Sequence, residues 1–158
     1  MKNLLNLTLI FTMLLMSSCS SDDSDSTQEP TAISYKIDFT TELSDADSNF
    51  EISVITTNDN GGYSYDVNSY SNVDAYSVIT GSHTSVSNNI MGVKFDFISG
   101  GNFLSNNGMT VTRTDTNETL GSYLESTESL AAPGGSLQYS TLTIWFDAND
   151  NSFSTDFE

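Results

Sequence analysis

The chain has 158 residues, 21 of them acidic and 4 Lys or Arg, for a formal net charge of -17 at pH 7. That length suits one domain, and so acidic a surface repels phosphate backbones and anionic membranes, which argues against nucleic-acid binding and for cations or basic partners. The lone cysteine, Cys19, leaves no internal disulfide, so the core alone must hold the fold.

The amino terminus has the layout of a secretory signal peptide. Lys2 supplies the positive start, Leu4 to Met16 the apolar stretch, and Ser17 and Ser18 the small residues before a cleavage point. The apolar stretch falls short of the roughly 20 residues a spanning helix needs. Leu15-Met16-Ser17-Ser18-Cys19 resembles the lipobox of bacterial lipoproteins. Met16 stands where that family usually has Leu, and Ser18 where it usually has Gly or Ala; both keep the apolar or small character of the site. The resemblance implies that residues 1–18 are removed, that Cys19 becomes the acylated first residue, and that two or three acyl chains hold the protein on a membrane. No other contact with a membrane is expected.

Ser20, Ser21, Asp22 and Asp23, with Ser24 and Asp25 behind them, resemble the acidic export signal of Bacteroidota lipoproteins. That resemblance implies an outer-membrane lipoprotein displayed on the cell surface; the periplasm-facing leaflet is the alternative. Asp25-Ser26-Thr27 fits the short O-glycosylation pattern of the same phylum. Residues 19–31 are Ser, Asp and Thr rich and are expected to form a lipidated acidic tether, with the domain occupying 32–158.

Within the domain, period-2 alternation predicts strands. Ile33, Tyr35, Ile37 and Phe39 open the series, followed by Phe50, Ile52 and Val54. The turn Asn58-Asp59-Asn60-Gly61-Gly62 leads to Tyr63, Tyr65 and Val67. Residues 73–80 form the next expected strand, and Gly81-Ser82-His83-Thr84 reads as a loop. Met91, Val93, Phe95 and Phe97 make the strongest central strand, ending at Gly100-Gly101. Asn107-Gly108 is a hairpin-type dipeptide before Met109 and Val111. Asp115-Thr116-Asn117 turns into 119–125, in a stretch similar to runs in small flavobacterial lipoproteins. Residues 127–132 allow one helical turn before Pro133-Gly134-Gly135, and a last hairpin joins 137–147 to 152–157. About nine short strands without an amphipathic helix predict an all-β, antiparallel two-sheet β-sandwich, with a small β-barrel as the alternative.

The residues offer little to catalysis. His83 is the sole histidine, without a nucleophile elbow around it, and zinc ligands are too few. Carboxylate pairs suited to glycoside hydrolysis abound, so none is specific. No catalytic residue and no cofactor are expected. Asp147, Asn149 and Asn151, and likewise Asp45, Asp47 and Asn49, have the alternate spacing of calcium-loop oxygens. Ser152 and Phe50 occupy the glycine positions of that pattern, so a structural calcium is an option and a polar turn the simpler expectation. In the strand 137–147, Leu142, Ile144 and Phe146 share one face and Tyr139 and Trp145 the other. If the first is core, Tyr139 and Trp145 are exposed and suited to stacking a sugar ring. The expected role is a non-catalytic binding module for a glycan or a partner protein. A structural subunit of a surface complex is the alternative, and a small hydrolase is less favoured.

Overall fold

A strand that alternates apolar and polar residues buries one face only if a second layer covers it. The computed structural model describes residues 33–158 apart from 45–46, 59, 88, 101–103, 128, 132 and 134–138, and it supplies that layer as a second antiparallel sheet. The strands are β1 (Ser34–Leu43), β2 (Ser48–Thr57), β3 (Tyr63–Val73), β4 (Val78–Val86), β5 (Ile90–Ser99), β6 (Leu104–Arg113), β7 (Glu118–Glu125), β8 (Thr141–Asp147) and β9 (Ser152–Phe157). Four form a sheet in the order β4-β1-β6-β7, and five form the other in the order β3-β2-β5-β8-β9. Neither sheet closes into a barrel, so the fold is the expected β-sandwich. Cys19, the Ser20–Asp23 segment, the signal peptide and the tether lie outside the described residues.

The core sits between the sheets. Tyr35, Ile37 and Phe39 of β1 and Met109 and Val111 of β6 face Phe50, Ile52 and Val54 of β2. Met91, Val93, Phe95 and Phe97 of β5 join them, as do Leu142, Ile144 and Phe146 of β8, and every one of these side chains is at most 5% exposed. The β2–β3, β6–β7 and β8–β9 connections are hairpins within a sheet; the others pass between sheets. Asn89, Asn117 and Asn151 take positive φ in the connections, and Asn72 near the end of β3, as asparagine does more readily than most residues.

Three local expectations are corrected. The strand placed at 73–80 starts at Val78 and runs to Val86, while Tyr76 turns the chain with φ 58°. His83 is therefore on a strand and not in a loop. Asn107-Gly108 makes no hairpin but lies inside β6. There the β1–β6 register shifts between Thr40 and Glu42, and Asn106 takes φ 50°. The turn chemistry of asparagine serves this bulge: Asn106 Nδ2 donates to Glu42 Oε2 at 2.6 Å, and Thr41 Oγ1 donates to Asn107 Oδ1 at 2.7 Å. Finally, the helical turn at 127–132 is absent among the described residues. Leu130 instead exchanges two backbone hydrogen bonds with Leu104 and is fully buried, so sealing the core overrides local helix preference.

Candidate functional site

The outer face of the five-stranded sheet carries the candidate site. Along β8, Leu142, Ile144 and Phe146 point into the core, so Trp145 must point out. Its neighbour across β5 is Gly92, which has no side chain to occupy the sheet surface. The indole lies there: a Cβ built on Gly92 would stand 2.9 Å from Trp145 Cε3 and 3.3 Å from Cζ3. Tyr63 reaches the indole from β3, with ring centroids 5.5 Å apart and the planes tilted by 47°. On the other side, Trp145 Nε1 donates to Asp156 Oδ2 of β9 at 3.3 Å. Asp147, Ser152 and Ser154 continue that rim, and together these residues line an open groove of about 360 Å³. The arrangement offers a half-buried aromatic platform edged by carboxylates and hydroxyls.

No family model, curated protein or solved structure matches the chain. The chemistry of the groove has to be taken from its own residues.

Tyr139 is not part of this site. The expectation that it shares a face with Trp145 extended the strand to residue 137, but β8 begins at Thr141. Alternation does not carry back to 139, and Tyr139 packs against the core with its ring 5.0 Å from that of Phe157. The residues that do join Trp145 come from distant segments: Tyr63 of β3, Gly92 of β5 and Asp156 of β9. A single strand's pattern cannot reveal them, because their meeting depends on the register of the whole sheet.

His83 lies on the inward side of β4 and its Nδ1 sits 2.8 Å from Asp66 Oδ2 of β3, in the opposite sheet. It thereby ties together the two edge strands on one side of the sandwich. In the turn after β8, Asp147 Oδ1 accepts from Asn149 N and from Asn149 Nδ2, both at 2.8 Å, and Asp150 Oδ1 accepts from Ser152 N at 3.1 Å. These carboxylate oxygens organise a polar turn. Asn49 Nδ2 donates to Ser99 Oγ, and Asp45 lies outside the described residues. Among the described residues, no three His, Cys, Asp or Glu side chains come together.

The outer face of the other sheet holds a wider trough of about 560 Å³, lined by Asp38, Thr40, Ser82, Thr110, Ser122 and Leu124 among others. Phe39 and Tyr123 also border it, but both pack toward the core, so its outer walls offer hydroxyls and not a ring face. Asp38 is already paired with Lys36 at 2.9 Å, and Thr110 and Ser122 hydrogen-bond each other at 2.8 Å.

Proposed function

We propose that the chain is a lipid-anchored surface protein whose β-sandwich is a non-catalytic glycan-binding module, with Trp145 as its stacking platform. The observation that supports this reading is the indole packed over Gly92, partly exposed beside Tyr63 in a groove rimmed by Asp147, Ser152, Ser154 and Asp156. Sugar rings present an apolar C–H face and a polar edge, and an aromatic ring flanked by hydrogen-bonding side chains is complementary to both. A glycan array followed by calorimetry tests it. The expected result is a glycan hit whose affinity falls about tenfold in Trp145→Ala, equivalent to about 1.4 kcal/mol. An array without a hit, or a hit indifferent to Trp145→Ala, counts against the reading.

A second reading is a protein partner at the same face. Tyr65 and Val67 extend the platform along β3 and are 57% and 50% exposed. A partner that buries them would be lost in Tyr65→Ser with Val67→Ser, neither of which lines the groove itself.

The anchor is tested separately. Mass spectrometry of the protein extracted from its own membranes should find a diacylated or triacylated Cys19 at the mature amino terminus. A free thiol there would remove the lipoprotein assignment. Protease added to intact cells should degrade the protein, and Asp22→Asn with Asp23→Asn should protect it.

A further inference from the structure

We propose that the ligand of the Trp145 groove bears a protonated amine, and that its class is an oligosaccharide of amino sugars with free amines. This rests on the glycan reading and specifies the substrate class within it.

The groove combines two features that favour a cation. Trp145 and Tyr63 present ring faces whose quadrupoles attract positive charge. Asp147 and Asp156 line the same space. Among the described residues, Asp156 makes one side-chain hydrogen bond, from the indole N–H, which leaves its carboxylate charge uncompensated.

The rest of the domain supplies no counter-charge. Lys36 pairs with Asp38 at 2.9 Å, Lys94 with Asp96 at 3.0 Å and Arg113 with Asp115 at 2.7 Å. Each basic side chain is thus held by the aspartate two residues further along, and none lines the groove. These three are the lysines and arginines after Lys2 in a chain of net charge -17. A uronate or sulfated sugar would bring an anion to a negative rim with no cation to receive it. A neutral sugar would use the indole and leave both carboxylates, which accept only neutral hydrogen bonds from Trp145 and Asn149, without a counter-charge. An ammonium group on a ring edge meets a carboxylate while the C–H face lies on the indole, and Asp147 and Asp156, at the two ends of the Trp145 position, suit amines on successive rings.

Calorimetry of the full chain at about pH 6, where such amines are protonated, separates the cases with two probes: tetra-glucosamine and tetra-N-acetylglucosamine. The expected result is about tenfold tighter binding of the free-amine tetramer, the scale of a cation–π contact plus an exposed ion pair. Asp147→Asn with Asp156→Asn keeps the shape and a hydrogen-bond acceptor beside Trp145. It should weaken tetra-glucosamine by a larger factor than the acetylated tetramer. Equal affinities for the two sugars, or equal losses in the double variant, would overturn the proposal. So would a tetralysine peptide that binds as tightly as tetra-glucosamine, because the occupant would then be a basic peptide. If a neutral glycan binds through Trp145 with no gain from an amine, this inference falls and the glycan reading stands. If no glycan of any kind binds, both fall.

Discussion

Gly81→Val is expected to destabilise the domain by about 1–3 kcal/mol, the usual cost of forcing atoms into a filled core. Generic strand preference gives the opposite sign, since valine favours strands and glycine weakens them. The packing decides between them. Gly81 of β4 stands opposite Phe39 of β1, and both face inward. The Phe39 ring fills the space where a side chain would be: a Cβ at position 81 would sit 2.7 Å from Cε1 and from Cε2, with Cζ nearer still. Phe39 is only 5% exposed, so its ring cannot leave without vacating core volume. The alternative is for β4 to move, and β4 is an edge strand paired to β1 alone. Its displacement would also pull His83 from Asp66. Against a typical total of about 5–15 kcal/mol, the loss is easily measured as a lower urea midpoint with an unchanged slope. Phe39→Ala alone should cost about 3–5 kcal/mol. The double variant should cost less than the two together by about 0.5–3 kcal/mol, because the valine then occupies part of the void. Strict additivity would show that the ring does not rest on this glycine.

The same contact explains why β4 was poorly legible in the sequence. Its inward positions are Ile79, Gly81, His83 and Ser85, which carry no apolar alternation. Phe39 supplies the bulk that Gly81 lacks, and Asp66 supplies the partner that His83 needs, so both compensations lie on other strands. β5 is the contrast: Met91, Val93, Phe95 and Phe97 each bury their own side chain, and the period is plain. The two-sheet architecture follows from strands of that kind. Asn107-Gly108 misled for a related reason. Asparagine favours positive φ wherever the chain bends, and a bulge in a paired strand uses that tolerance as well as a hairpin does. At the site, the outward direction of Trp145 could be taken from β8 alone. The ring's resting place and its companions could not, because they follow from pairing residues 49–56 with 91–99 and 90–96 with 141–147.

On the proposed glycan-binding role, Gly92→Ala should lower glycan affinity nearly as much as removing the indole, while changing stability far less than Gly81→Val. The two glycines face opposite sides of the sandwich: Gly81 meets the core, and Gly92 meets a ring on the surface. A methyl group at position 92 would stand 2.9 Å from Trp145 Cε3 and 2.9 Å from the Ile144 carbonyl oxygen. One of the two must yield. The carbonyl belongs to β8, which is paired along its length with both β5 and β9. The indole is held on its polar side by one hydrogen bond of 3.3 Å to Asp156 and borders an open groove, so it is the cheaper part to move. Lifting it breaks the tilted ring contact with Tyr63 and moves the platform away from the sheet. Trp145 is the chain's sole tryptophan, so its emission reports the change directly and should shift to the red as the indole enters water. The free energy of urea unfolding should stay within about 1 kcal/mol of the parent, since glycine-to-alanine changes in extended backbone also reduce the freedom of the unfolded chain. Loss of affinity with a red-shifted, folded protein is the expected combination. Unchanged emission and unchanged affinity would mean that the platform does not depend on the gap at Gly92. A large loss of stability would mean that the sheet, and not the ring, gave way.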